Sequence, residues 1–340
     1  MKNLCSITFL SLFLPATISC KNESRNDSGL LTAAFYDLTE PGIQNGGVKM
    51  IGIQTPKGKY KVWTKRIGNN PTCKLLLVNG GPGLTHEYFE CFENFMPKEG
   101  IEIIYYDQLD CGNSDQPKDT SLYDLDRYVE EVEQVRQALG LDSSNFYLLG
   151  HSWGGILGMQ YALKYQHNMK GLVIAHMMAS CPAYGKYAND VLAKQIDPKI
   201  LDTIRTIEKN KDFSNPKYMG LLTPHFYQQH ILRMKEWPEP VNRSFAHINQ
   251  NLYVNMQGPS EFGISGKLTH WDVSKQLKNL KLRTLVIGAT YDSMDPKYMK
   301  WMSGQIPGAK FLLCAKGSHM SLYDDQETYM KGLIGFLKGK

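Results

Sequence analysis

Apolar residues along the chain gather in short runs separated by amphipathic or polar stretches. Val48 to Thr55 and Lys59 to Lys65 flank Pro56-Lys57-Gly58, a pattern that predicts two strands joined by a hairpin turn. Lys74 to Val78, Ile101 to Tyr106, Leu172 to Ala175, Thr284 to Gly288 and Lys310 to Cys314 are mostly continuous apolar runs. Such runs are typical of strands covered on both faces in a parallel sheet. His86 to Met96 reads as a helix between two of them. Leu125, Val129, Val132, Val135 and Leu139 recur at helical spacing, with Glu130, Glu131 and Glu133 expected to face solvent. The alternation of strand and helix predicts a mostly parallel central sheet with helices on both faces.

This rhythm stops from Cys181 to Asp272, where helical, aromatic-rich and polar segments replace the apolar runs. The expected organisation is an α/β core in two parts, residues 31–180 and 273–340, with a helical cap inserted at 181–272. The cap's inner face would close over the site and shape a substrate pocket.

The first thirty residues stand outside that fold. Lys2, the short apolar stretch Leu4 to Leu14 and the small residues before Cys20 form an export-signal pattern over residues 1–20. It is too short for a permanent membrane span. The segment resembles a bacterial lipoprotein signal, which implies lipidation of Cys20 and an exported, membrane-anchored protein facing the periplasm or cell exterior. Thr17 replaces the leucine usual in that signal, so cleaved soluble export and an uncleaved anchor stay as alternatives. Residues 21–30, polar and rich in Asn, Ser and Asp, would serve as a flexible tether.

Composition narrows the classes. The 340 residues are 42% hydrophobic and 21% charged, enough for a large core. The net charge of +5 is scattered rather than gathered in blocks, which argues against nucleic-acid binding. The seven cysteines follow no disulfide or zinc spacing, so buried free thiols are expected. No histidine pair has metal-ligand spacing, and neither a metal nor another cofactor is implied.

The chemistry gathers around Gly150-His151-Ser152-Trp153-Gly154, which breaks the apolar run Phe146 to Leu149 and precedes the helix-forming Ile156 to Leu163. Glycines either side of the serine permit a tight strand-turn-helix that exposes a nucleophilic hydroxyl. Asn79-Gly80-Gly81-Pro82-Gly83 follows a buried strand, and the Gly81 and Trp153 backbone N–H groups could together stabilise an oxyanion. Asp292 follows one late strand and His319 the next, giving the chain order Ser…Asp…His. Ser152 would attack a carbonyl, His319 would move the proton, and Asp292 would orient His319. Asp295, a rival acid, precedes Pro296 and more readily opens a helix. His151 is expected to pack rather than react.

With these residues assembled, the chain resembles the proline iminopeptidase family of serine hydrolases, within the α/β-hydrolase superfamily. Gly80-Gly81-Pro82-Gly83, Asp107-Gln108, Cys111-Gly112-Asn113-Ser114, Gly150 to Gly155 and Ser318-His319 carry the resemblance in the core. His230 to Arg233, Trp237-Pro238, Asn251 to Val254 and Gly258 to Phe262 carry it through the cap. The resemblance implies an α/β-hydrolase fold and release of an N-terminal residue, often proline, from a small peptide or amide. It also implies that Glu261 binds the substrate's free α-amine. The family's second glutamate, directly after the triad aspartate, is Ser293 here, so Glu236 or Glu239 would have to compensate. Asn79 stands where the family has histidine. An amidase or esterase indifferent to a free amine is the alternative enzyme, and a non-catalytic ligand-binding protein is the alternative of another class.

Overall fold

A computed structural model describes residues 47–339. The expected signal segment, tether and Cys20 lie outside the described residues. Eight strands form one sheet in the order β1-β2-β4-β3-β5-β6-β7-β8. β1 (Val48–Thr55), β2 (Gly58–Ile67) and β4 (Glu102–Asp107) pair antiparallel in succession. β3 (Lys74–Val78), β5 (Phe146–His151), β6 (Gly171–Ala175), β7 (Arg283–Ala289) and β8 (Lys310–Cys314) extend it in parallel from β4. Alternate residues of each central strand feed opposite cores, because side chains switch faces at every step. Leu76, Val78, Leu148 and Ile174 join one hydrophobic cluster, whereas Leu75, Leu77, Leu149 and Val173 join the other.

The amphipathic pattern forms α1 (Leu125–Ala138), capped by Asp124, whose carboxylate accepts from Arg127 N–H at 3.1 Å. Its acidic residues differ from expectation. Glu130 is exposed and pairs with Lys164, but Glu131 is buried, accepting from Arg127, the Tyr106 hydroxyl and Leu109 N–H. Glu133 is also buried and accepts from Arg136 and the Tyr161 hydroxyl. Arginines on the same helix, together with long-range partners invisible to helical periodicity, compensate the burial of these carboxylates. His86–Asn94, expected as an ordinary helix, winds as a 3₁₀ helix.

α2 (Trp153–Tyr165) follows β5 directly. Between β6 and β7 the described chain is helical, including α3 (Cys181–Tyr187), α4 (Pro198–Lys209), α5 (Pro216–Leu222), α6 (Glu239–Ala246) and α7 (Gln250–Met256). The neck of this insertion is tied by an isolated bridge between Ser180 and Asp272, with Cys181 N–H donating to Trp271 O and Val273 N–H to Ala179 O. The insertion has a core of its own, around Leu192, Ile204, Tyr218, Leu222, Phe226 and Ile231. It is also latched to the 3₁₀ helix: Arg243 of α6 reaches Glu87 at 2.7 Å and Glu90 at 2.6 Å.

Five free cysteines are present among the described residues; all are buried except Cys73, which is partly exposed. Burial pushes the Cys91, Cys181 and Cys314 thiols up to about 12, which suppresses their thiolates.

Candidate active site

Ser152 sits between the end of β5 and the start of α2 with φ +55° and ψ −122°. An ordinary side-chain-bearing residue rarely adopts this backbone, and such strain persists where the surroundings enforce it. The flanking glycines allow that enforcement. A Cβ on Gly150 would lie 1.9 Å from the Gly154 carbonyl oxygen, and one on Gly154 would lie 2.1 Å from that of Val78. Strand, turn and helix are therefore too close for any residue larger than glycine at either position. Ser152 N–H donates to Ala175 O at 2.9 Å, anchoring the turn to β6.

The opposite wall comes from the loop after β3. Gly81 has φ +105°, and its Cβ would crowd Gly83 N at 2.8 Å. Among the described residues the Gly81 amide has no backbone acceptor, and Trp153 N–H, at the first turn of α2, has no intrahelical acceptor. A side-chain chain supports both: Gln108 donates to Asn79 Oδ1 at 3.1 Å and accepts from Trp153 Nε1 at 3.0 Å. Asn79 in turn donates to Leu84 O. Asn79 and Gln108 thus brace the loop from beneath. Asp107 spends its carboxylate on His86 and the Asn113 backbone, fixing the neighbouring loop rather than entering the site.

Asp292 follows β7 and His319 follows β8, and the two meet: His319 Nδ1 lies 2.8 Å from Asp292 Oδ1. That contact defines the neutral tautomer, with the proton on Nδ1 and Nε2 left to accept. Asp292 Oδ1 also accepts from Met294 N–H at 3.0 Å. Burial alone would push the Asp292 carboxyl up, but His176 and His319 outweigh it and hold the group well below the usual carboxylate range. Burial pulls the His319 imidazolium down, yet Asp292, its hydrogen bond and the charge of Glu261 together leave His319 above its ordinary value. No hydrogen bond joins Ser152 Oγ to His319; catalytic contacts of this kind often tighten only when substrate binds. Asp295 instead caps α8 (Pro296–Gln305), accepting from Lys297 N–H at 2.9 Å.

His151 has a more specific place than the expected packing role. Its Nε2 lies 2.9 Å from the His319 carbonyl and its Nδ1 lies 3.1 Å from the Tyr88 hydroxyl. Tyr88 also accepts from Gly80 N–H at 2.8 Å, so one buried pair links the β3 loop to the His319 loop. Burial, then the neighbouring His319 and His176, push the His151 imidazolium well below its ordinary value, favouring a neutral bridge.

The helical insertion reaches into the same region. His319 N–H donates to His230 O at 3.0 Å, and Met320 N–H donates to Ile231 O at 2.9 Å. His230 Nδ1 contacts Tyr291 O at 3.0 Å, tying the Asp292 loop to the same segment. Glu261, also in the insertion, is buried within a set of tyrosines. Tyr253 donates to its Oε1 at 2.7 Å, Tyr184 donates to its carbonyl at 2.6 Å, and its N–H donates to Tyr227 at 3.1 Å. Burial raises the Glu261 carboxyl above its ordinary value; His319 and Tyr253 pull it back in part. The proposed compensating acids do not join it: Glu236 is exposed, and Glu239 is exposed and pairs with Arg243. Ser293, where the resemblance leads one to expect a second glutamate, is buried with its hydroxyl 3.2 Å from His319 Nδ1.

Among the described residues, no group of three or more His, Cys, Asp or Glu residues has a metal-binding arrangement. The roles of Gln108, His176 and the Tyr184 and Tyr227 contacts to Glu261 have no local signal, because each joins groups far apart along the chain. The arrangement can support acyl transfer through a serine nucleophile, with a buried carboxylate available to a cationic substrate group.

The family described as alpha/beta hydrolase fold matches residues 75–326. The chain is 56% identical to a proline iminopeptidase of Flavobacterium johnsoniae over 288 residues, covering 85% of this chain and 97% of that protein. A proline iminopeptidase of Elizabethkingia meningoseptica is 54% identical, with the same coverage of both chains. Among solved structures, the proline iminopeptidase of Mycobacterium smegmatis superposes with a TM-score of 0.76 at 25% identity, covering 86% of this chain and 98% of the other. VinJ superposes with a TM-score of 0.79 at 24% identity and the same coverage, a likeness of fold. By the extent of these matches, over core and insertion together, the chain belongs to the proline iminopeptidase family of α/β hydrolases.

Proposed function

We propose that the protein is a serine aminopeptidase that releases N-terminal proline, or another small residue, from short peptides or amides. Glu261 carries the specificity part of this reading: a buried carboxylate, held by Tyr253 and electrostatically coupled to His319, suits the substrate's α-ammonium. Holding that cation fixes which carbonyl meets Ser152 and excludes blocked substrates.

In the proposed reaction, His319 Nε2 takes the Ser152 proton as Oγ attacks the carbonyl carbon of the first residue. The tetrahedral oxyanion is stabilised by the Gly81 and Trp153 amides, while Asp292 stabilises the imidazolium. His319 then protonates the departing nitrogen, the C–N bond breaks, and the first residue remains as an ester on Ser152. Water, deprotonated by His319, attacks that ester and releases the free amino acid. The helical insertion acts as a cap, shaping the acyl pocket and excluding water around the reacting bond.

The test compares a proline arylamide, its N-acetylated form and a short p-nitrophenyl ester, using wild-type protein and Ser152→Ala. Rapid cleavage of the free-amine arylamide alone, abolished in Ser152→Ala, is expected. Cleavage of the blocked amide, or of the ester alone, would make the enzyme an amidase or esterase. Activity surviving in Ser152→Ala would overturn the serine mechanism.

The same proposal places the enzyme outside the cytoplasm, with Cys20 lipidated and residues 21–30 as a tether, on the basis of the export-signal pattern. Globomycin sensitivity and a lipid mass shift on the mature chain are the expected results; an unlipidated mature chain would remove the anchor.

A further inference from the structure

Asp292 carries a second imidazole. Its Oδ1 faces His319, while Oδ2 lies 2.6 Å from His176 Nδ1. On the far side of the His176 ring, Nε2 lies 2.7 Å from Ser321 Oγ. His176, Asp292 and Ser321 are all buried, so this second Ser-His-Asp array cannot receive a substrate.

The backbone places His176 with care. It is the first residue beyond β6, its N–H donates to Ile287 O of β7 at 2.8 Å, and the carbonyl before it accepts the Ser152 amide. Its φ is +55°, a left-handed conformation that few non-glycine residues adopt, histidine and asparagine more readily than most. Strain of this kind is retained where a side chain or backbone has a task. The ring stacks on Tyr329, with centroids 6.1 Å apart and an interplanar angle of 14°.

We infer that His176 is a positioning residue for the triad, holding Asp292 aimed at His319 by donating to the carboxylate oxygen that His319 does not use. The inference rests on the serine-triad reading above. In the neutral imidazole, Nδ1–H donates to Asp292 and Nε2 accepts from the Ser321 hydroxyl. The donation draws charge from Asp292, tempering the pull that the carboxylate exerts on the His319 proton. The groups facing His176 are Asp292 from the β7 loop, His151 from the elbow, His319 from the β8 loop, and Ser321 and Tyr329 from the helices Ser321–Asp324 and Gln326–Leu337. Cys314 of β8 interacts with Ser321 behind them.

The experiment uses His176→Ala and His176→Asn, assayed for kcat, KM and the pH profile of kcat/KM. Asparagine tolerates positive φ and can return one N–H to Asp292. His176→Ala is expected to lower kcat about tenfold to a hundredfold, the range for losing a hydrogen bond to a charged group, with KM within about twofold. Its acid limb is expected to move to higher pH, because Asp292 then holds the His319 proton more strongly. His176→Asn is expected to restore most of kcat and the limb. Equal losses in both variants with an unmoved limb, or an unaffected His176→Ala, would overturn the inference.

Low-field proton NMR of the Ser152→Ala protein supplies a readout independent of turnover and of whether the His176 variants fold. Two hydrogen-bonded imidazole protons are expected on Asp292; a spectrum with only the His319 proton overturns the inference. Failure of the serine mechanism is seen separately, as activity that survives in Ser152→Ala.

Discussion

Replacing Glu261 by glutamine keeps the side chain's size while removing its charge and one of its two acceptor oxygens. Tyr253 already donates to Oε1 at 2.7 Å, so the carboxylate has a second oxygen to offer a substrate ammonium. Glutamine offers a single neutral acceptor oxygen, which Tyr253 would already engage, and its NH₂ group would oppose the cation. Glu261 is only 7% exposed, so solvent does little to screen the loss. Breaking a buried, hydrogen-bonded charge pair costs about 2–5 kcal/mol. At about 1.4 kcal/mol per tenfold, kcat/KM for a proline arylamide should fall by roughly 30-fold to several thousandfold. The same variant assayed on a short p-nitrophenyl ester, which carries no amine, should stay within about threefold of wild type. A comparable fall on both substrates would show that Glu261 supports the fold or the triad. A fall below about threefold on the arylamide would show that amine recognition lies elsewhere.

Three other perturbations follow from the geometry. His319 must be neutral to accept the Ser152 proton, and its raised pKa places the acid limb of kcat/KM above the ordinary histidine range; a limb below that range in a pH–rate profile would contradict the arrangement with Asp292 and Glu261. Glu131→Leu removes the buried partner of Arg127 together with the acceptor for Tyr106 and Leu109 N–H, and should cost about 3–5 kcal/mol in urea unfolding. A loss under about 1 kcal/mol would mean that Arg127 finds another partner. Gly154→Ala drives a Cβ to 2.1 Å from the Val78 carbonyl oxygen, so the elbow cannot close; soluble, fully active Gly154→Ala protein with an unchanged melting temperature would refute that account.

Much of the fold was legible because a strand covered on both faces must be apolar along its length. Lys74 to Val78 accordingly emerged as β3 with the expected bounds, and Leu172 to Ala175 as β6, one residue longer at its start. The elbow was legible for a different reason: a turn that puts Gly150 and Gly154 within contact distance of backbone atoms tolerates no other residue, so its spacing survives as text. Glu131 and Glu133 show where such reading stops. Periodicity puts them beside Glu130 on a polar face, but their burial depends on Tyr106, Leu109 and Tyr161, which belong to other elements.

The site divides in the same way. The chain order of Ser152, Asp292 and His319 and the glycines around Gly81 are written locally, since each must follow the end of a strand. Which acid joins His319 is a tertiary matter: Asp292 reaches it, while Asp295 turns to the α8 backbone. The tyrosines around Glu261, the Gln108 brace and the His151 bridge are likewise contacts across the fold. His176 lies 116 residues from Asp292 and has no motif around it. Local sequence could determine strands, turns and the order of reactive groups, because these answer to short-range sterics and burial. Partners for buried charge were decided only when the β5, β6, β7 and β8 ends met, because a hydrogen bond depends on distance in space rather than along the chain.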